Sequence, residues 1–325
     1  MIKINKKIKT DLLKDMLTTR LLEEEIVKEY PRKEIRCPVH LSIGQEAISA
    51  GVSKILKKED IIFSAHRSHA HYLSKGGSIK GLIGEIYGKQ SGCTKGIGGS
   101  MHLVDLKAGV LGCVPIVGST IPIAVGAAWA NKLLKKNTMT VVYFGDGATE
   151  QGVFYESLNF AKIHKIPILF VCENNFYSIY TNYKKRNSKK NNTKNFASSL
   201  GVRSKQCFGN DVEKVMKVTE NSVKFIKKYN EPALIEFFTY RIYEHCGPGI
   251  DDYLNYRPKK EVAKWKKKCP IKNYKKKLIK KKILSQASIK RLELEIKKKI
   301  LKIFLSVKKD KFPHKKLLTE HIYAK

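Results

Sequence analysis

Apolar residues along this chain follow two rhythms. In residues 10–30, TDLLKDMLTTRLLEEEIVKEY, they return every three or four positions, the spacing of one helix face, and the run stops before Pro31. SIGQEAISAGVSKIL (42–56) reads as a second helix, and TIPIAVGAAWANKLLKK (120–136) as a small-residue helix suited to close packing on a sheet. TMTVVYF (138–144), IPILFVCEN (166–174) and PALIEFFTYRIY (232–243) instead carry β-branched and aromatic runs, as strands buried on both faces do. TEQGVFYESLNFAKIHK (149–165) returns to helical spacing. Strand, helix and strand with short joins make a βαβ unit, with parallel strands and a right-handed crossover. DIIFSAHRSHAHYLSKGG (60–77) reads as a short strand entering a polar, His-rich loop. The glycine-dense stretch 87–119 is too long to be an idle loop in a compact domain, so a functional role is expected. YKKRNSKKNNTKNF (183–196) reads as a mobile surface loop. The predicted class is α/β, a mostly parallel sheet flanked by helices. Residues 1–256 form the main domain, with 257–325 as a helical, lysine-rich C-terminal extension packed on it.

Composition narrows this picture. The chain has 325 residues, 42% of them hydrophobic, enough for a packed core. No apolar run reaches the roughly 20 residues that span a bilayer, and the basic start lacks the apolar segment of a secretory signal. Seven scattered cysteines without a C-x-x-C pair argue for a reducing compartment, and the chain reads as cytoplasmic. A net charge of +35 raises the question of nucleic acid. Residues 257–325 contribute +21 of it, with 26 basic against 5 acidic residues, on amphipathic segments whose lysines fall on outer faces. Solvated surface and a Lys/Asn compositional bias account for the charge, and nucleic-acid binding becomes a minor alternative.

One acid stands out against that charge. The strand ending at Phe144 is followed by Gly145, Asp146 and Gly147, and the next strand ends at Asn174 and Asn175, with 26 residues between Gly147 and Asn174. In open α/β sheets ligands bind beyond the carboxyl ends of the strands. A carboxylate and a carboxamide meeting there suit a hard cation such as Mg²⁺, which keeps water and substrate phosphate in its other positions. The flanking glycines admit a bulky anion, and the following helix offers free N–H groups. A Gly-Asp-Gly triplet alone is commonly just a turn; the paired asparagine at βαβ spacing favours the site.

These motifs, with HLSIGQEA, AHRSHAHYLSKGG, GGSMH, IVGS, GDGATEQGVFYESLNFAKIHKIPILFVCENNFYSI and TYRIYEHCGPG, resemble the α subunit of the first component of thiamine diphosphate-dependent 2-oxo acid dehydrogenases, pyruvate and acetoin types nearest. The resemblance runs from about residue 10 to 325 and is densest over 40–250. It implies that Asp146, Asn175 and the Tyr177 carbonyl bind Mg²⁺. It also implies that Gly145, Gly147 and Ala148 line the diphosphate, with His66 and Arg67 beside it and Val117 against the aminopyrimidine ring. His66 stands where relatives often carry Tyr, and Pro115 replaces a common Gly. His40 and His245 match the family's active-site histidines; an imidazole there can donate to a 2-oxo carboxylate or move a proton. His69, His71 and His102 are weaker candidates. Cys246 occupies the position of a regulatory serine in animal relatives, so that phosphorylation is not expected. The resemblance further implies a β subunit carrying an essential Glu, an α2β2 heterotetramer, and transfer of the acyl group to a lipoyl-bearing acyltransferase. Acetoin cleavage and non-oxidative transfer in sugar or surface-polymer synthesis are the alternative fates of the cofactor-bound substrate.

Overall fold

The computed structural model describes residues 4–188 and 192–320. Its centre is a six-stranded sheet, every neighbouring pair parallel. The strands in chain order are β1 (Ile61–Ser64), β2 (Val110–Cys113), β3 (Thr140–Gly145), β4 (Ile168–Asn174), then β7 (Arg203–Phe208) and β8 (Ala233–Phe238), after a two-stranded ribbon of β5 (Tyr177–Ser178) and β6 (Thr181–Asn182). The spatial order β2-β1-β3-β4-β8-β7 reverses direction at β1, because the chain goes first to β2 and then back to β3. Such a switch point opens a crevice beyond the strand ends.

Strand alternation divides the core. Val141, Tyr143, Leu169, Val171 and Ile235 face one side, where they pack with helices α1 (Lys6–Glu29), α2 (Glu46–Ser53), α4 (Ile79–Ile86) and α9 (Val212–Tyr229). Val142, Phe144, Ile168, Phe170 and Leu234 face the other, under α5 (Thr120–Leu133), α6 (Gly152–Ile163) and α8 (Thr193–Ser199). Helix α9 carries Val212, Val215, Met216, Thr219, Val223 and Ile226 inward at helical spacing and is capped by Asp211 and a left-handed Asn230. Gly51 lets α2 approach it, since a Cβ there would stand 2.6 Å from Val215 Cγ1.

Several expectations are corrected. The His-rich segment after β1 is not all loop; residues His69–Lys75 form α3. Helix α6 starts at Gly152 rather than 149, behind a 3₁₀ turn over Asp146–Glu150. Strands β2 and β7 and helices α4 and α9 are additional to the elements anticipated. The 183–196 segment contains α7 (Tyr183–Arg186) and the start of α8; positions 189–191 lie outside the described residues.

Beyond residue 256 come α10 (Lys259–Lys267), α11 (Pro270–Lys280) and α12 (Gln286–Lys309). Their lysines face outward, while Ile271, Tyr274, Leu278, Ile296, Ile300 and Phe304 join the core on the α1 side. Leu278 is fully buried and Leu305 is 65% exposed. Leu278→Ala should therefore cost about 2–5 kcal/mol, and Leu305→Ala no more than about 0.5 kcal/mol. Urea denaturation of both variants checks this; equal midpoints would mean that the C-terminal helices do not share the main core.

Candidate active site

Register places the site. Gly145 pairs with Glu173 across β3 and β4, so Asp146 and the Asn174–Asn175 pair leave the sheet side by side. The Asn175 N–H points at Asp146 Oδ1, 3.4 Å away. The two asparagines then separate in role. Asn174 is fully buried, donating to Glu236 Oε1 at 2.7 Å and accepting the Phe176 N–H at 3.0 Å. Asn175 donates to Gln45 Oε1 at 3.2 Å, and its Oδ1 accepts the Tyr177 N–H. Phe176 between them has φ of 71°, a left-handed conformation uncommon for an aromatic residue and characteristic of functional turns. It turns the chain back so that Asn175 and Tyr177 line the same cleft as Asp146.

That cleft, about 220 Å³, lies at the β1/β3 switch point. It brings together His40, His66, Arg67, Val117, Gly145, Asp146, Gly147, Ala148, Asn175, Tyr177 and His245, which are scattered over more than two hundred residues of sequence. A Cβ on Gly147 would meet Ser178 Oγ at 2.6 Å, whereas one on Gly145 would meet nothing, so Gly145 leaves open room in the cleft. Pro115 lines the cleft beside the exposed Val117.

Asp146 is 1% exposed. Burial raises its pKa, and the Arg186 guanidinium beside it works in the opposite direction. Arg186, from the end of α7, pairs with both Asp146 and Glu150. The segment expected to be surface loop thus sends a cation into the acid end of the cleft.

Arg67 is buried and fixed by donation to the Leu41 carbonyl at 2.8 Å and the His245 carbonyl at 3.2 Å. Burial, followed by the nearby Arg241, lowers its pKa to about 9. Among the described residues no carboxylate forms an ion pair with it, so its charge is free to meet an anion entering the cleft. His40, His66 and His245 surround the other end, with ring centroids 4.6–5.3 Å apart. Burial, then the Arg67 charge, pushes them down to about 2, 4 and 3 respectively. All three imidazoles are therefore neutral at pH 7 and can accept a proton or donate one N–H each.

The three weaker candidates have protein partners of their own, and of them only His71 lines the cleft. His69 Nδ1 contacts Glu23 at 3.1 Å and its Nε2 contacts Ser100 Oγ at 2.7 Å. His71 lies between Ser64 Oγ and Glu173 Oε1, stacked on Tyr143. His102 is exposed and bonds the Gly98 carbonyl.

The profile of the dehydrogenase E1 component family matches residues 14–316. The chain belongs to this family. It is 34% identical over 327 residues to pyruvate dehydrogenase E1 component subunit alpha-3, chloroplastic, of Arabidopsis thaliana, covering 99% of this chain and 76% of that protein. It is 32% identical over 311 residues to the pyruvate dehydrogenase E1 component subunit alpha of Rickettsia bellii, covering 96% and 94%. The corresponding subunit of Porphyra purpurea is 34% identical over 293 residues, covering 88% and 84%.

Four buried acids that support this cleft were not singled out in the sequence. Both Glu23 oxygens accept the Ser42 N–H at 2.8 Å, which anchors the His40 segment to α1. Glu85 accepts four backbone N–H groups, from Thr94, Gly96, Gly98 and Gly99, and so orders the glycine-dense stretch. Glu173 lines the cleft, and Glu236 holds Asn174. The usable signal was an acid inside an apolar helix or strand, where a charge needs a partner.

The neutral histidines have a stability consequence. The unfolded chain titrates His near 6.5, whereas the folded chain holds these three well below that. Between about pH 6.5 and 4 the unfolded state binds more protons, so their contribution to stability is complete above 6.5 and declines as pH falls. Buried carboxylates with raised values, such as Asp15 at about 6, act in the opposite sense. The His66→Tyr variant isolates the histidine part. Its melting temperature should fall less than that of the wild type between pH 7 and 5; parallel profiles would contradict the assignment.

Proposed function

We propose that this chain is the α subunit of a thiamine diphosphate-dependent pyruvate dehydrogenase, which decarboxylates pyruvate and passes the acyl group to a lipoyl carrier. The observation that carries this reading is the convergence of Asp146, Asn175, Tyr177 and Arg67 at the switch point, in a chain whose relatives are named pyruvate dehydrogenase E1 alpha subunits. The cradle suits the group. A cationic side chain stands against Asp146, which supports a cation position there. The donor set there is oxygen: a carboxylate, the Asn175 carboxamide and the Tyr177 carbonyl, the chemistry Mg²⁺ takes.

Bound in this cleft, thiamine diphosphate would supply the nucleophilic carbon and the electron sink for decarboxylation. The protein's part is positioning and proton handling. Arg67 would hold phosphate oxygens through a planar fork already aimed by two carbonyls. Asp146, Asn175 and the Tyr177 carbonyl would hold Mg²⁺ in the place that the Arg186 guanidinium takes at Asp146 in the free chain. His40 and His245, neutral in the free chain, donate N–H to the substrate carboxylate or accept a proton as the reacting group changes charge.

A β subunit completes the site, in an α2β2 assembly that docks a lipoyl-bearing acyltransferase. Exposed Ile116 and Val117 beside the cleft, with Ile123, Leu133 and Ile163 on α5 and α6, offer an apolar surface for it. Among the described residues no helix is long and apolar enough to cross a membrane. The seven cysteines are unpaired, which supports a reducing, cytoplasmic setting.

Pyruvate-dependent reduction of an artificial electron acceptor, assayed with Mg²⁺ and thiamine diphosphate, tests the assignment. The chain alone should be inactive and the chain with its β partner active; full activity in the chain alone, or none in the pair, would refute it. Asp146→Asn should weaken Mg²⁺-dependent cofactor binding by more than the roughly 10–100-fold that loss of an outer-shell partner costs a metal site. Arg186→Ala removes a competing cation and should tighten apparent Mg²⁺ affinity, measured like that of Asp146→Asn by calorimetric titration in the presence of thiamine diphosphate. Weaker binding would instead make Arg186 a cofactor contact.

A further inference from the structure

The cleft carries a second donor set, of nitrogen rather than oxygen. His40 precedes α2, His66 follows β1 and His245 follows β8, so three separate segments bring the rings together. One ring nitrogen from each lies within 4.8 Å of the other two. His40 is only 6% exposed, and its Nδ1 has no hydrogen-bond partner among the described residues. A buried ring nitrogen without a partner, on a ring grouped with two further imidazoles, leaves a polar atom that a bound ligand would satisfy.

Neutral imidazole suits zinc, copper, nickel and cobalt, whereas magnesium prefers oxygen. In a tetrahedral site with Zn–N near 2.0–2.1 Å, ligand nitrogens stand roughly 3.3 Å apart. Closing the present spacing needs shifts of about an ångström, which the two half-buried rings, His66 and His245, can supply by rotating about their side-chain bonds. We propose that His40, His66 and His245 form a three-imidazole site for a divalent transition-metal ion of the zinc class, with its fourth position open to solvent or to an anionic ligand. Arg67, which donates to the His245 carbonyl, opposes the ion's charge and makes an anion such as hydroxide or a carboxylate the favoured fourth ligand. The two metal positions differ in hardness: oxygen donors at Asp146, Asn175 and Tyr177, nitrogen donors here. An occupied imidazole site ties up the lone pairs of His40 and His245 and would inhibit turnover. That consequence rests on the function proposed above, but the binding site itself does not.

The test is a Co²⁺ titration of the reduced full-length chain with excess Mg²⁺ present, followed by visible absorption. The expected result is one equivalent bound, with the ligand-field bands of four-coordinate Co²⁺, no thiolate charge-transfer band, and displacement by Zn²⁺. His66→Tyr and His245→Asn, on independent segments and checked for wild-type circular dichroism, should each abolish the bands, and Cys246→Ser should keep them. Absence of stoichiometric binding by the wild type, bands that persist in either histidine variant, or a thiolate band lost with Cys246→Ser would overturn the site. None of these readouts depends on pyruvate, thiamine diphosphate or a β chain, so failure here and failure of the proposed function are distinguishable.

Discussion

A buried carboxylate needs a counter-charge, and the candidate site is organised around that need. Asp146 is almost completely removed from water at the end of an apolar strand. An unpaired ion in such a place costs several kcal/mol even after the protein relaxes, so it must be protonated or matched by a cation. In this structure the match is Arg186, reaching in from α7. Neither the strand nor the following turn would tolerate that acid for stability alone. Under the proposed function, a Mg²⁺ held there with a diphosphate would supply that counter-charge in the working complex.

The surroundings repeat the same logic inside a strongly basic chain. The lysines are mostly on outer faces, while the acids that matter are interior. Glu23, Glu85, Glu173 and Glu236 are each buried, and each accepts hydrogen bonds from groups that hold a cleft loop in place. A carboxylate can accept several N–H bonds at once, so a single residue orders a whole loop. Glu85 does this for a glycine-rich segment with little side-chain packing of its own. Arg67 is the complementary case: a buried cation aimed by carbonyls, whose neutralising partner is an incoming anion.

Much of this was legible in the sequence, for identifiable reasons. Strands β3 and β4 carry continuous apolar runs, as strands buried on both faces do, and the Asp146 and Asn175 positions follow from their length and join. The eleven residues assigned to the metal, the diphosphate, the pyrimidine ring and the two active-site histidines line one cleft, whereas His69 and His102, the weaker candidates, lie outside its lining. Strand β7 was not legible because RSKQCF is an edge strand whose alternate residues are polar and exposed. Strand β2 hid inside a glycine-rich stretch, where four residues give too short a pattern. Helix α3 hid behind its histidines, which look like loop chemistry but include His69 and His71, satisfied by buried partners. The approach of Arg186 to Asp146 is a tertiary fact that no local pattern encodes.

The central claim is that Asp146, Asn175 and the Tyr177 carbonyl share one divalent ion. Anomalous diffraction from crystals of the α/β assembly grown with thiamine diphosphate and Mn²⁺ in place of Mg²⁺ tests it most directly. The account predicts a single strong peak within bonding distance of those three oxygens, with the Arg186 guanidinium moved off Asp146. A manganese peak elsewhere, or an intact Arg186–Asp146 pair with cofactor bound, would contradict it.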